Sequence, residues 1–268
     1  DGTLYFLDDA LSDIDGFPMI TGEIPTSTPA VYKDGIIFAA KGKKLIFVSP
    51  NRSVTEYQLE SFEDITSAPL VFDSKAVAYE RSFMGGLYVV NLENPDDEII
   101  FLETEGLGFG SPAAVVTKDN QYIGFVNQTG NFYVWDNTYV LLDNFPVELG
   151  GLYYSNAVSS GSDFITLSSE GTLSRISLDG TVINVTVPYL TARKTFISVQ
   201  DYNSDKYDEI FICGDGNSIY GFTDTLELLG RFPVSGFGVP VFIDVNGDRK
   251  NDCLTISLDN KLNAWKVN

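Results

Sequence analysis

Short apolar runs opened by a Gly- or Asn-containing turn recur seven times, at Leu4, Leu45, Leu87, Phe132, Leu173, Ile219 and Leu262. Their spacings are 41, 42, 45, 41, 46 and 43 residues. A second marker keeps phase with the first. Apolar runs, most of them opened by Pro or a small residue, lie at Pro29-Ala30-Val31, Pro69-Leu70-Val71, Pro112-Ala113-Ala114, Asn156-Ala157-Val158, Ile197-Ser198-Val199 and Pro240-Val241-Phe242, spaced by 40, 43, 44, 41 and 43. Between the two markers lies a further apolar run, as in Gly35–Ala39, Ala76–Tyr79 and Ile210–Cys213. After the first marker comes a more polar one, as in Ser53–Leu59, Glu98–Leu102 and Val182–Val187. Each segment is short, rich in β-branched and aromatic residues and bounded by turn formers, which is the pattern of a strand.

Four strands repeating at about 40–45 residues predict an all-β chain, a β-propeller of four-stranded antiparallel blades. A long β-sandwich or an open array of hairpins is the alternative, and two markers holding phase over many repeats argue against it. The Pro-opened runs suit the innermost strand, where a Pro at the first position costs no ladder hydrogen bond. Six such markers predict six blades, with seven as the alternative. The ends bear on the choice without closing it. The chain opens with a third-type strand (Thr3–Leu7) and an outer one (near Leu11–Phe17), and closes with first, second and third strands (Val239–Ile243, Cys253–Ser257, Lys261–Val267). In a six-bladed ring the N-terminal outer strand completes the last blade and one strand is surplus. In a seven-bladed ring the N-terminal blade lacks its inner half. A Phe-Pro corner recurs at Phe17-Pro18, Phe145-Pro146 and Phe232-Pro233, and its aromatic is expected to fill the wedge between neighbouring blades.

Composition narrows the function. With 37 acidic and 17 basic residues the 268-residue chain carries a formal charge of −20, a field that repels nucleic-acid phosphates and anionic lipid headgroups. Neither nucleic acid nor membrane insertion is expected, and no apolar stretch reaches the roughly 18 residues of a spanning helix. Histidine is absent, which removes the commonest general base and imidazole metal ligand. Residues 1–268 read as one domain, opening at Asp1 without a Met as a trimmed or mature chain would; a fragment or one domain of a longer secreted protein is the alternative reading. Cys213 and Cys253 sit in apolar strands at different points of the repeat, which favours two buried free thiols over a disulfide.

The last two repeats carry a longer connection between first and second strands. Asp201-Tyr202-Asn203-Ser204-Asp205-Lys206-Tyr207-Asp208-Glu209 and Asp244-Val245-Asn246-Gly247-Asp248-Arg249-Lys250-Asn251-Asp252 both read D-x-N-x-D-x-x-x-[DE], 43 residues apart. Oxygens at positions 1, 3 and 5 of a tight loop converge on one point, and an acid at position 9 returns to it, a hard-oxygen set suited to Ca2+. The candidate ligands are Asp201, Asn203, Asp205, Glu209, Asp244, Asn246, Asp248 and Asp252, with the backbone carbonyls of Tyr207 and Lys250 at position 7. The two Ca2+ ions would be structural, bringing paired strands into register. Lys206 or Arg249 at position 6, and Ile212 or Thr255 at position 12, depart from the Gly and Glu of an EF-hand. Solvated Asx turns are the alternative reading.

Phe242-Ile243-Asp244-Val245-Asn246-Gly247-Asp248, with Asp252 and an apolar strand after it, resembles the FG-GAP or VCBS-type repeat of integrin-like propellers, and Asp201–Glu209 is similar. The resemblance covers about a third of the chain. The earlier repeats, such as Ser27–Val31 through Gly35–Ala39, are similar to degenerate propeller repeats of the pyrroloquinoline-quinone type. The first resemblance implies Ca2+ in the loops and a secreted or cell-surface location, alternatively periplasmic, with use in adhesion or as an accessory domain. The quinone enzymes need a larger propeller and a cofactor cage not found here, so their activity is not carried over. The expected function is a non-catalytic binding or scaffold module whose partner is a protein or glycan ligand, or the subunits of a surface assembly. The alternative is a carbohydrate-binding or carboxylate-based carbohydrate-active propeller, with Trp135, Tyr153, Tyr154 and Trp265 as aromatic candidates. Three sequons, at Asn51, Asn127 and Asn184, fit a secreted chain and are near the number chance would give.

Overall fold

The computed structural model describes residues 2–188, 190, 196–214 and 216–267; Asp1, where the chain opens, lies outside them. Among the described residues there is no helix, and 25 strands form seven antiparallel sheets. The chain divides into two compact units, Asp1–Ser111 and Pro112–Asn268.

The first unit holds three sheets. β1 (Thr3–Leu4) and β2 (Met19–Ile20) pair with each other alone. β3 (Ala30–Tyr32), β4 (Gly35–Ala40), β5 (Lys44–Val48) and β6 (Val54–Gln58) form a four-stranded meander, as do β7 (Leu70–Phe72), β8 (Lys75–Glu80), β9 (Gly86–Asn91) and β10 (Ile100–Glu103). β4 is buried along its whole length because both faces are covered. Ile37 and Ala39 pack with Leu45 and Tyr57 against Ala76, Ala78 and Tyr88 of the next sheet. Ile36, Phe38 and Ala40 turn the other way, toward Leu4, Phe6 and Met19. Period-two alternation therefore sends successive side chains into two different inter-sheet cores, which is why the run Gly35–Ala40 is continuously apolar.

The second unit holds four sheets: β11 (Ala113–Val116), β12 (Gln121–Val126), β13 (Asn131–Trp135) and β14 (Val147–Glu148); β15 (Val158–Ser160), β16 (Asp163–Leu167), β17 (Thr172–Ile176) and β18 (Val182–Thr186); β19 (Phe196–Gln200), β20 (Glu209–Cys213), β21 (Ser218–Phe222) and β22 (Val234–Ser235); and the three-stranded β23 (Phe237–Ile243), β24 (Asp252–Ile256) and β25 (Leu262–Trp265). The same alternation runs through β20. Ile210 and Ile212 join the core shared with Ile165, Leu167 and Leu173, while Phe211 and Cys213 join the one shared with Cys253 and Val267.

The described residues form seven sheets, which fits seven blades and corrects the expectation of six. The register Thr3↔Ile20 and Leu4↔Met19 joins the N-terminal third-type strand to its own outer strand, so that outer strand belongs to a separate sheet instead of completing β23–β25. Pro240 does not open its strand; it lies inside β23, where the register shifts between Phe237 and Val241, a bulge that tolerates a residue without an N–H. The Phe-Pro corners behave as expected in the second unit: Phe145 packs among residues of the β11–β14 and β15–β18 sheets, and Phe232 between those of the last two.

Neither cysteine forms a disulfide and both are buried, and burial pushes the Cys253 thiol up to about 12. Because the thiolate is the reacting species, neither residue should react with Ellman's reagent at pH 8 in the folded protein, and both should react in concentrated urea. Prompt native-state labelling would place at least one thiol at the surface.

Candidate functional site

The two acidic loops join first to second strands of consecutive sheets, β19 to β20 and β23 to β24. They are built alike. At position 1, Asp201 accepts the N–H groups of Asp205 (3.1 Å) and Lys206 (2.9 Å), and Asp244 those of Asp248 (3.1 Å) and Arg249 (2.8 Å). At position 3, the Oδ1 of Asn203 and of Asn246 each accepts the N–H of position 5, at 2.9 Å. At position 5, Asp205 accepts from the N–H of Tyr207 and Asp248 from that of Lys250. At position 9, Glu209 and Asp252 accept the N–H of Tyr202 (3.1 Å) and Val245 (3.3 Å).

The backbone coils in the same way in both. Positions 4 and 6 are left-handed, at Ser204 (φ 65°) and Lys206 (φ 77°) in the first loop and Gly247 (φ 81°) and Arg249 (φ 66°) in the second. The position-6 side chains that depart from the EF-hand glycine thus adopt the positive φ that glycine favours. The carboxylate at position 1, accepting two or more backbone N–H groups, and the amide oxygen at position 3, accepting one, hold this path.

The position-9 acids sit deepest, both buried. Burial pushes the Glu209 carboxyl up to about 7, and the charges of Asp205 and Asp201 push it the same way. The amide nitrogen of Asn203 donates to Glu209 (2.8 Å) and to Asp205 (3.1 Å), and that of Asn246 donates to Asp252 (3.1 Å). Each amide places a weak positive dipole among the carboxylates. In the second loop the Lys266 ammonium bonds Asp248 at 3.0 Å and holds its carboxyl below the usual range.

Two features of the site escape the motif. Asn251, between the proposed ligands of the second loop, donates its amide to the Tyr202 carbonyl of the first at 2.7 Å. Tyr202 in turn packs its ring against Phe211 and Phe242. The loops are therefore neighbours anchored on one aromatic core. Among the described residues no group of three or more His, Cys, Asp or Glu side chains is gathered tightly enough to hold a metal ion; the loops are closed by backbone and amide donors. The donor set is nevertheless all hard oxygen, two Asp, one Asn and one further acid per loop, and its chemistry fits Ca2+.

No family model matches the sequence, and no curated protein matches it. Solved structures do. Virginiamycin B lyase from Staphylococcus aureus is 12% identical with a TM-score of 0.63, over 91% of this chain and 84% of that one. BBS1N, solved in complex with ARL6DN, is 13% identical with a TM-score of 0.60, over 91% and 78%. The computationally designed Ika8 protein is 15% identical with a TM-score of 0.62, over 91% and 71%. At these identities the likeness concerns the fold alone. The chain has a propeller-like, repetitive all-β fold, and its seven sheets fit seven blades.

Proposed function

We propose that this chain is a non-catalytic binding or scaffold propeller that works outside the cytoplasm, at the cell surface or in a secreted assembly, with one structural Ca2+ in each acidic loop. The observation that carries this reading is the repetition of one hydrogen-bonded frame, with left-handed positions 4 and 6, in two loops 43 residues apart. Turns that merely reverse the chain have no reason to share carboxyl, amide, carboxyl and acid at the same four places. The FG-GAP-like wording of the loops supports the same reading. Asp201, Asn203, Asp205, Glu209 and the Tyr207 carbonyl would hold one ion, and Asp244, Asn246, Asp248, Asp252 and the Lys250 carbonyl the other. The ion supplies positive charge to a set of carboxylates that otherwise repel one another. Extracellular Ca2+, in the millimolar range, fills weak sites that cytosolic levels leave empty.

The test is calorimetric titration of the EDTA-stripped chain with CaCl2, with thermal unfolding in both states. Two ions per chain and a higher Tm in Ca2+ support the reading. Absence of binding, with identical unfolding curves, would reduce both loops to hydrogen-bonded turns and remove the support for an extracellular site of action.

A further inference from the structure

Outside the acidic loops, the first unit carries a cleft of about 510 Å3 between the end of β6 and the third and outer strands, β9 and β10, of the next sheet. Its walls are Phe62, Met84, Tyr88 and Phe101, with the Tyr88 and Phe101 ring centroids 4.9 Å apart. Glu60 and Glu98 stand exposed among the lining residues. Glu80 also lines it and is only 1% exposed. The two oxygens of Glu80 accept the Phe62 N–H at 2.5 Å and the Tyr88 hydroxyl at 2.9 Å. Both donors are neutral. Among the described residues no Lys or Arg pairs with Glu60, Glu80 or Glu98. A second cleft of about 450 Å3 shares Phe62 and Met84 with the first and adds Phe83 and Leu107, with Glu63 and Arg81 also in its lining and the Arg81 guanidinium lying over the Phe109 ring at 4.3 Å. Phe62, Phe83 and Met84 are 68%, 87% and 58% exposed, a contiguous apolar surface that water does not favour.

We propose that this double cleft binds an extended segment of a partner protein that places a Lys or Arg side chain in the larger cleft and a large apolar side chain in the smaller one. Charge complementarity chooses the occupant. A buried carboxylate with only neutral donors gains from a cation beside it, two exposed carboxylates steer that cation inward, and aromatic faces attract it further. The methylene stem of Lys or Arg matches the apolar walls of Phe62 and Met84. Phosphate-bearing partners meet the same carboxylates as repulsion. The proposal rests on reading the chain as a binding module but not on either metal loop.

The probe is the peptide Ac-Leu-Gly-Arg-Gly-NH2, titrated into 15N-labelled protein, with the same peptide carrying citrulline in place of arginine as the neutral control. The arginine peptide should shift the amides of Phe62, Met84 and Tyr88, bind roughly tenfold more tightly than the citrulline peptide, and weaken in high salt. The double variant Glu60→Gln/Glu98→Gln, altered only at exposed positions, should keep its spectrum and lose most of that preference. Titrations in EDTA and in CaCl2 should agree, so the cleft stands even if the calcium reading falls. Equal binding of the two peptides, no binding of either, an unchanged preference in the double variant, or binding seen only with Ca2+ would each overturn the proposal.

Discussion

Replacing Phe164 with alanine is expected to lower stability by about 3–5 kcal/mol, the range for emptying a large aromatic site in a packed core. Phe164 opens the buried face of β16 and is fully enclosed. Its ring lies 5.4 Å from that of Phe132 and spans the wedge between two successive sheets. In the same sheet as Phe132 lies Gly124 of β12, where an added Cβ would sit 2.5 Å from the Phe164 ring. Glycine is needed there because the ring occupies the space a side chain would take, not because of its backbone angles. Gly124→Val should therefore be nearly as damaging as Phe164→Ala, by overpacking instead of a cavity. Urea unfolding monitored by far-UV circular dichroism measures both. A loss below about 1 kcal/mol for Phe164→Ala would mean that the two sheets close over the gap, and that the wedge is not held open by this ring.

How much of this was legible in the sequence depends on whether the determinants are local. The strand repeat was, because successive side chains of each inner strand enter two different cores, and the resulting unbroken apolar runs such as Gly35–Ala40 recur at one period. The acidic loops were legible for the same reason: all their ligand candidates fall within nine consecutive residues, so spacing alone fixes their relation. The blade count was not, since it turns on which partner β2 takes, and pairing across a chain reversal is not written in either strand. The double cleft was also hidden. Glu60, Glu80 and Glu98 come from three different segments and look like three unrelated surface acids until the fold gathers them around one cleft. The contact of Asn251 with the Tyr202 carbonyl escaped for a similar reason, because it joins two repeats whose side-by-side placement only the fold decides.

Glu209→Gln is expected to move stability in opposite directions with and without calcium. In the metal-free chain Glu209 is buried beside Asp205 and Asp201, and its carboxyl is raised from 4.5 to about 7. A carboxyl raised on folding favours the fold while protonated. Its contribution is therefore fully present below about pH 4.5 and is lost as pH rises through about 7. At pH 8 the ionised form costs about 3 kcal/mol, from 1.36 kcal/mol per pKa unit over the rise from 4.5 to about 7. Gln keeps an acceptor oxygen for the Tyr202 N–H and carries no charge to desolvate. In EDTA the variant should thus equal or exceed the parent chain at pH 8 and show a flatter dependence between pH 4.5 and 7. In Ca2+ the order reverses, because the parent's ionised carboxylate becomes a ligand and the variant offers only a neutral amide. A cation that binds only the folded chain adds about 2.7 kcal/mol at a hundredfold excess over its Kd, and the variant should forfeit most of that from the first loop while the second still binds. Thermal unfolding of both proteins in EDTA and in CaCl2, across that pH range, reads every part of this. If the substitution costs the same in both conditions, Glu209 serves only to cap the Tyr202 N–H, and the calcium assignment of the first loop is wrong.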